Sequence, residues 1–489
     1  MQHSPACDSC PQTDCGITSR QWRDACGVFG IYAPGEHVAN LTYFGLYALQ
    51  HRGQEGAGMA VWGGETLRRH RGLGLAAQVF NEQVLEDLQG DVALGHVRYS
   101  TMGGNTVANT QPMVGEAQFG PFALAHNGNL VNAAALRADL ELQGLEFAAT
   151  SDTEVIAKLV EASGAETIED ALQYAMGRMK GAYSLGVVAP GKLLAARDPN
   201  GVRPLCIGQI NGDKWVIASE TCALHVIGAD FVREVQPGEI VSLSAQGISS
   251  RQGAEPGRKS CCVFEFIYFA RPDSHIYGKS VYMARLRMGH LLAQQAPVDA
   301  DLVIPVPESA LPHAMGYAQV SKIPYGEGLI KNRYIFRTFI APDQRLRDLG
   351  VKMKLTPLKE NLAGRRLVVV DDSIVRGTTT KPEVALLREA GAREIHLRIS
   401  SPPIRYPCFY GIDTSAGRKE LIAARMSVPE IREYMDADSL EYLELKNLIK
   451  AVGLPKTNFC TACFDRHYPI PVPKEVKVTK FDLEAAPAK

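Results

Sequence analysis

The stretch RRLVVVDDSIVRGTTTKPEVALLREAGA, residues 365–392, decides how the second half of the chain folds. An apolar run, 367–370, ends in two adjacent carboxylates, Asp371 and Asp372. Ser373, Arg376, Gly377, Thr378 and Thr379 follow, and then a segment with helical spacing. Strand, polar turn and helix in that order make a βα unit, and open parallel sheets bind ligands at the carboxyl ends of their strands. Backbone N–H groups, Thr hydroxyls and a helix N-terminus together form an anion cradle. Two carboxylates beside such a cradle suit the hydroxyls of a ribose and a divalent cation. Asp and Thr also cap ordinary turns and helices; the order of the pieces is what favours the cradle.

The same rhythm runs outward from this stretch. DLVIPVPES (301–309), KIPYGEGLI (322–330) and EIHLRISSPP (394–403) are further strand candidates, with helical segments between some of them. A largely parallel α/β sheet is therefore expected over 256–425, followed by a helical region with a polar tail over 426–489. The segment SAQGISSRQGAEPGRKS (244–260) is rich in Gly and Ser and reads as a linker. Before it, CGVFGIYA (26–33), MAVWG (59–63), VALGHVRYS (92–100), FALAHNGNL (122–130), YSLGVVAP (183–190), KLLAARD (192–198) and WVIASE (215–220) read as strands. Only a few helical segments, such as HVANLTYFGLYALQHRG (37–53) and SDTEVIAKLVEAS (151–163), interrupt them. Many strands with few helices predict an α+β sandwich over 26–255.

A chain of 489 residues is too long for one core, so two domains are expected. A net charge of −1 favours neither nucleic acid nor an anionic membrane as a general partner. No apolar run approaches membrane-spanning length, and the N-terminus lacks the apolar core of a secretory signal, so a cytoplasmic location is expected. Eleven cysteines, an odd number in a reducing compartment, point to metal ligands and reactive thiols in place of a disulfide framework. Residues 1–25 are polar and poor in large apolar side chains.

The 365–392 stretch closely resembles the phosphoribosylpyrophosphate (PRPP) signature of type I phosphoribosyltransferases. That resemblance implies a 5′-phosphate held by the loop 373–380, and Asp371 and Asp372 serving the ribose and Mg²⁺. VIPVPESALPHAMGYA (303–318) resembles a second turn of that family, with Glu308 where members usually carry Asp. It implies that Ser309 joins Asp371 and Asp372 around Mg²⁺. The cation-rich segment 331–355, with Lys331, Arg333, Arg337, Arg345, Arg347, Lys352 and Lys354, is expected to be a polyphosphate lid.

Near the start stands Cys26, in RDACGVFGIY (23–32). An apolar-flanked cysteine is by itself most often a core residue. Downstream, however, lie QHRGQEGAG (50–58), GHVRYST (95–101), AHNGNL (125–130) and SDTE (151–154). With CGVFG, these five motifs in order resemble class II glutamine amidotransferases of the N-terminal nucleophile (Ntn) hydrolase type. In such enzymes the nucleophile is the first residue of the mature chain, and its α-amine, with an ordinary pKa near ~8, is the adjacent base. The resemblance implies that 1–25 is a propeptide and that Ala25–Cys26 is cleaved. It assigns Arg98 to the α-carboxylate of glutamine, Asp152 to its α-ammonium, and Asn127 and Gly128 to the oxyanion hole. Arg52 is a weaker candidate near the site.

Together, residues 26 to about 470 resemble the glutamine PRPP amidotransferases. The resemblance implies glutamine hydrolysis at one site and transfer of the ammonia to PRPP at the other. The products it implies are 5-phosphoribosylamine, glutamate and pyrophosphate, in the first committed step of purine biosynthesis. It also implies a homotetramer and feedback by purine nucleotides.

The remaining cysteines leave alternatives. Cys460 and Cys463 form a C-x-x-C pair, which is open to zinc, redox chemistry or an iron–sulfur site. One branch of the family carries a 4Fe-4S cluster, and its pattern matches at Cys262, Cys408, Cys460 and Cys463, with Cys261 adjacent as a competitor for the first place. Cys206 and Cys222 have apolar neighbours and read as core. Cys7, Cys10 and Cys15 fall in the expected propeptide.

Overall fold

The computed structural model describes residues 26–99, 102–332, 355–412, 418–472 and 483. The expected propeptide 1–25 and most of the expected lid, 333–354, lie outside the described residues.

The first half is a sandwich of two antiparallel sheets. One has seven strands in the order Asp230–Glu234, Cys206–Ile210, Lys214–Ala218, Gly27–Tyr32, Val92–Arg98, Gly56–Gly63, Thr66–Leu73. The other has six, in the order Gly247–Gln252, Glu239–Ser244, Lys192–Arg197, Gly181–Ala189, Gly120–Leu130, Met113–Ala117. Side chains alternate between faces, so each strand feeds two cores. Val28, Leu94, Ala125, Val188 and Ile217 pack between the sheets. Phe29, Val97 and Ala218 face the helix Val38–Ala48 on one outer side. Leu124, Leu185 and Val187 face the helices Ala133–Leu142, Asp152–Glu161 and Ile168–Arg178 on the other. The result is a four-layer Ntn-type fold.

The second half carries a four-stranded parallel sheet in the order Leu302–Pro305, Arg366–Asp371, Glu394–Ile399, Ser439–Tyr442. Both faces are buried: Val303, Val368 and Val370 point into one core, and Leu302, Ile304, Leu367 and Val369 into the other. This is why the strands read as continuous apolar runs. The helices Val281–Gln295 and Leu311–Ser321 pack backbone to backbone. A Cβ on Gly289 would stand 2.0 Å from the His313 carbonyl oxygen, and one on Gly316 2.0 Å from that of Leu286.

Three expectations need correction. The 244–260 segment is not all linker: Gly247–Gln252 pairs with Glu239–Ser244 as the edge of the second sheet. It looks like a loop because an edge strand needs only its backbone ladder and leaves its side chains, Ser249 and Ser250 among them, exposed. The region after 425 is not purely helical, because Ser439–Tyr442 completes the parallel sheet with Leu440 and Tyr442 turned inward. The KIPYGEGLI segment lies beside the sheet instead of adding a full strand. Leu329–Lys331 pairs antiparallel with Leu355–Pro357, and only Tyr325 bridges to Val303.

The two halves share one core. Val131, Ala182 and Val202 of the first pack with Phe264, Phe266 and Tyr410 of the second.

Candidate functional site

Cys26 precedes the central strand Gly27–Tyr32 and is 5% exposed. Its Sγ lies 3.2 Å from the Tyr99 carbonyl oxygen and accepts from the Tyr99 N–H at 3.4 Å. Burial pushes the thiol up; the Tyr99 backbone and the Arg98 and Arg52 guanidiniums pull it down, and Asp152 pushes it up again. The nucleophile candidate is therefore a neutral thiol that needs a base.

Arg98 ends the neighbouring strand. Its Nη2 donates to the carbonyls of Met102 (3.2 Å), Gly103 (3.4 Å) and Gly104 (3.2 Å), while its buried Nη1 has no partner among the described residues. Asp152 opens the helix Asp152–Glu161, where Ser151 Oγ caps the Glu154 N–H, and its Oδ2 accepts the Leu130 N–H at 3.1 Å. Asn127 is fully buried, and neither side-chain atom has a partner among the described residues. Buried polar groups in folded proteins are paired, so Asn127 and Arg98 Nη1 are poised for a polar ligand. Gly128 has φ +151°, and a Cβ there would stand 2.0 Å from the Ala182 carbonyl oxygen. Gly128→Ala is expected to cost about 2–4 kcal/mol through that collision. Gly177→Ala, on an exposed helical turn with open space, should instead gain up to about 1 kcal/mol. Thermal unfolding of the two variants checks the contrast.

Sequence reasoning missed the charges beneath Cys26. Arg52 Nε donates to the Cys26 carbonyl at 3.2 Å. The same guanidinium grips Glu265 with two bonds of 2.9 Å and Glu220 with one of 2.5 Å. Arg203 Nη1 joins Glu265 at 3.2 Å, and all four side chains are fully buried. Burial alone would raise the Glu220 carboxyl, but His51 and Arg52 outweigh it and hold it far below the usual range. The available signal was the Arg in QHRG; its acidic partners, 168 and 213 residues away, carried none.

His96 is also buried in this region, on the face that carries Val28 and Arg98. Burial, with Arg98, pushes it down to about 3, so it is neutral.

In the second half, Asp371 and Asp372 sit at the end of the strand Arg366–Asp371, as expected. Ser309 Oγ hydrogen-bonds Asp372 Oδ2, and Ser373 Oγ bonds Oδ1 at 2.6 Å. Burial, then Asp372 and Glu383, push the Asp371 carboxyl well up; Asp372 is also raised by burial, against the pull of Ser309, Ser373 and Arg285. Two buried carboxylates that repel each other are a donor set suited to a hard divalent cation. The loop 373–379 then leads into the helix Thr380–Glu389. Gly377 takes φ +76° against Met435 and Ile422, and Thr378 and Thr379 stand at the helix start. Arg376 is ion-paired with Glu420 at 2.6 Å. Lys331, the one lid cation among the described residues, pairs with Glu308 at 3.4 Å.

Three backbone segments bring the cysteines together. Cys262 pairs in parallel with Cys460, and the N–H groups of Arg405 and Tyr406 donate to the Cys463 carbonyl at 3.0 and 3.1 Å. Burial raises Cys463, and the charges of Cys262, Cys460 and Cys408 raise it further. Burial pushes Cys262 up to about 12 against the pull of Arg203. Cys261 points to the opposite side, towards Arg197. Among the described residues no three His, Cys, Asp or Glu groups are close enough to share one metal ion. A cubane spreads its thiolates over several irons and sets them farther apart than a single ion does. Cys206 and Cys222 are buried, as expected of core residues.

Comparison with known proteins decides the family. Residues 96–226 match a family described as a glutamine amidotransferase domain. The chain is 51% identical over 470 residues, 95% of each sequence, to the amidophosphoribosyltransferase of Synechococcus elongatus. The chain belongs to the amidophosphoribosyltransferases. The Bacillus subtilis amidophosphoribosyltransferase is 48% identical over 94% of this chain and 98% of its own. A solved structure of glutamine PRPP amidotransferase from B. subtilis, complexed with ADP and GMP, superimposes with a TM-score of 0.87, covering 92% of this chain and 98% of that one. Amidophosphoribosyltransferases are glycosyltransferase-type enzymes that open purine biosynthesis, and this chain has that function, with an Ntn glutaminase half and a phosphoribosyltransferase half. No helix among the described residues is long and apolar enough to cross a membrane.

Proposed function

We propose that the two halves divide the reaction as follows, with Cys26 as the nucleophile. The observation that carries this reading is the buried Cys26 thiol within the electrostatic reach of Arg98 and Asp152, with buried polar atoms of Arg98 and Asn127 left without a partner among the described residues. Cleavage of Ala25–Cys26 frees the α-amine of Cys26, which takes the thiol proton as Sγ attacks the side-chain carbonyl of glutamine. The Asn127 amide and the Gly128 N–H donate to the oxyanion. Arg98 Nη1 holds the α-carboxylate and Asp152 the α-ammonium. The proton passes to the departing ammonia, and water then releases glutamate from the thioester. Ammonia attacks C1 of the PRPP ribose and pyrophosphate leaves. The loop Ser373, Arg376, Gly377, Thr378 and Thr379 cradles the 5′-phosphate, with Arg376 exchanging Glu420 for phosphate. Ser309, Asp371 and Asp372 would hold Mg²⁺, which supplies charge neutralisation for the pyrophosphate leaving group.

The boundaries follow the same division: a propeptide over 1–25, a glutaminase domain over 26–255 and a phosphoribosyltransferase domain from 256, extended past 425 by the strand Ser439–Tyr442. N-terminal sequencing alongside a glutaminase assay tests the first boundary. Chains beginning at Cys26 should hydrolyse glutamine and chains retaining 1–25 should not; equal activity in both would refute the role of the freed amine.

Cys262, Cys408, Cys460 and Cys463 would hold a 4Fe-4S cluster, which supplies a covalent tie between the C-terminal segment and the rest of the second domain. Four converging, mostly buried thiols beside Arg203 suit a cluster whose ligated form is anionic. Anaerobically purified protein should contain about four irons and four sulfides per chain; zinc in their place would overturn the assignment. The ADP and GMP in the B. subtilis complex support purine nucleotides as feedback inhibitors here. A homotetramer and a cytoplasmic location complete the reading.

A further inference from the structure

Two arginines of the first sandwich stand on a face that such folds line with apolar side chains. The stretch TLRRHRGL forms the edge strand Thr66–Leu73, in which Arg69 and Arg71 lie opposite Ala60 and Gly58. Those two pair on their other side with Leu94 and His96. Directly opposite residues share a face, and Leu94 packs between the two sheets. Arg69 and Arg71 are therefore on the inner face of the seven-stranded sheet, where a sandwich builds its core. Leu67, two residues earlier on the same face, does pack into that core. Beyond it the sheets part. The edge strand Met113–Ala117 of the other sheet and the helix Asp152–Glu161 complete the walls of a cavity of about 440 Å³. Its lining includes Met113, Phe147, Glu146, Glu154 and Lys158 beside the two arginines.

The charges in this cavity do not cancel. Glu154 spends its carboxylate on the N–H groups of Ala148 and Ala149, at 2.9 and 2.7 Å. Lys158 is paired with Glu161 at 2.7 Å, and Glu146 is exposed at the rim. Neither Arg69 nor Arg71 forms an ion pair among the described residues. Partial burial lowers both guanidiniums, and the charge of Arg69 lowers Arg71 further. Each is pinned by one end. Arg71 Nη1 donates to the carbonyls of Ala108 (3.0 Å) and Thr110 (2.7 Å), and Arg69 Nη1 to that of Pro112 (3.4 Å). This loop crosses close over the inner face, since a Cβ on Gly58 would stand 2.1 Å from the Gln111 carbonyl oxygen. With Nη1 anchored, the Nε–Nη2 edge of each guanidinium makes no hydrogen bond among the described residues. That edge is the fork that matches a carboxylate or phosphate in two parallel bonds.

We propose that this cavity is a binding site for a small organic dianion, a phosphate ester or a dicarboxylate, gripped by the paired forks of Arg69 and Arg71. Residues two apart on one face of a strand are about 6.5–7 Å apart, so both forks reach one small ligand. The volume is in the range of sites that hold metabolites. Inward-pointing charges also guard sheet edges against pairing with other chains. One arginine would serve that purpose; two, pinned alike and facing a cavity with their forks free, form a cradle. None of the side chains assigned to the Cys26 site or to the Asp371–Asp372 site lines it, and the proposal does not depend on those assignments. Because the same arginines hold the carbonyls of Ala108, Thr110 and Pro112, a bound dianion also fastens that loop to the strand.

The experiment uses the full processed chain with two variants. Arg69→Gln removes one charge, and Arg71→Lys keeps the charge but not the fork. Titration calorimetry measures the binding of succinate and of inorganic phosphate, with chloride at matched ionic strength as the control. Hydrogen–deuterium exchange read by mass spectrometry locates the bound anion. In the parent chain at least one dianion should bind above the chloride control. Exchange over 104–113 should then slow by about tenfold at a concentration about ten times the Kd. Each variant should weaken that binding by about tenfold or more, the scale of one charge-assisted pair. Phosphate can also enter the 373–380 loop, so its arm is read as the difference between parent and variants. Binding of succinate alone assigns the site to dicarboxylates, and of phosphate alone to phosphate esters. Should Arg71→Lys fail to fold, Arg69→Gln at the exposed rim carries the test. Binding that the folded variants retain in full, or slowed exchange only outside 104–113, would overturn the site. So would a parent chain that binds neither dianion, which would leave the two arginines as guards of the edge strand.

Discussion

Cys26→Ala should lower glutamine-driven formation of 5-phosphoribosylamine by about 10⁴-fold or more, as expected when a covalent nucleophile is removed. The same variant should make the product from ammonia at close to the parent rate. The separation has a structural basis. Cys26 sits at the head of a strand in the first sandwich, whereas Asp371 and Asp372 end a strand of a different sheet. Among the described residues the hydrogen bonds of Sγ are the two with Tyr99, so truncation should cost no more than about 1–2 kcal/mol of stability. The variant should therefore fold, and it should still bind glutamine, because Arg98 and Asp152 keep their hydrogen bonds. Product analysis with each nitrogen source, beside a thermal unfolding scan, checks the prediction. Equal loss of both activities in a folded variant would mean that the roles are not divided between the halves.

Replacing one of the paired carboxylates should act in the opposite way. Asp372→Asn is expected to reduce turnover with either nitrogen source by about 10²- to 10³-fold, the scale of several kcal/mol that a metal-binding charge supplies to a phosphate-releasing step. Stability should move the other way. Burial and the neighbouring carboxylate raise Asp371 above its unfolded value. A carboxyl raised on folding lends its full stability below its unfolded pKa, and that stability is lost as pH rises through the folded value. Towards neutral pH the pair of buried carboxyls is therefore a burden on the empty site. Asn at either position should raise the melting midpoint without Mg²⁺ and abolish the increment that Mg²⁺–PRPP adds to the parent chain. A variant that melts lower without Mg²⁺, yet keeps that increment, would show that the pair is a structural cap and not a cation site.

The motifs at Cys26, Arg98, Asn127, Asp152 and Asp371–Asp372 were legible because each is a local pattern. Turn chemistry, strand ends and helix starts depend on residues within a few positions of one another. The edge strand Gly247–Gln252 was misread for the same reason. Its stability lies in a ladder to Glu239–Ser244, and its composition is that of a loop. The short strand Ser439–Tyr442 was missed because four residues carry too little alternation to stand out beside the helices around them.

The amino-acid sequence alone determined the division into an Ntn sandwich and a parallel-sheet domain and the residue types offered to each site. Those follow from hydrophobic period and local turn chemistry. Tertiary structure alone decided which of two adjacent cysteines faces the other three, because strand neighbours point to opposite sides and the register with Phe459–Cys460 turns Cys262 inward. It alone decided that Arg52 is neutralised by Glu220 and Glu265, across 168 and 213 residues of chain. A buried charge must find a partner, but nothing local says which one. Packing within the first half brings Glu220 to Arg52, and packing of the second half against it brings Glu265.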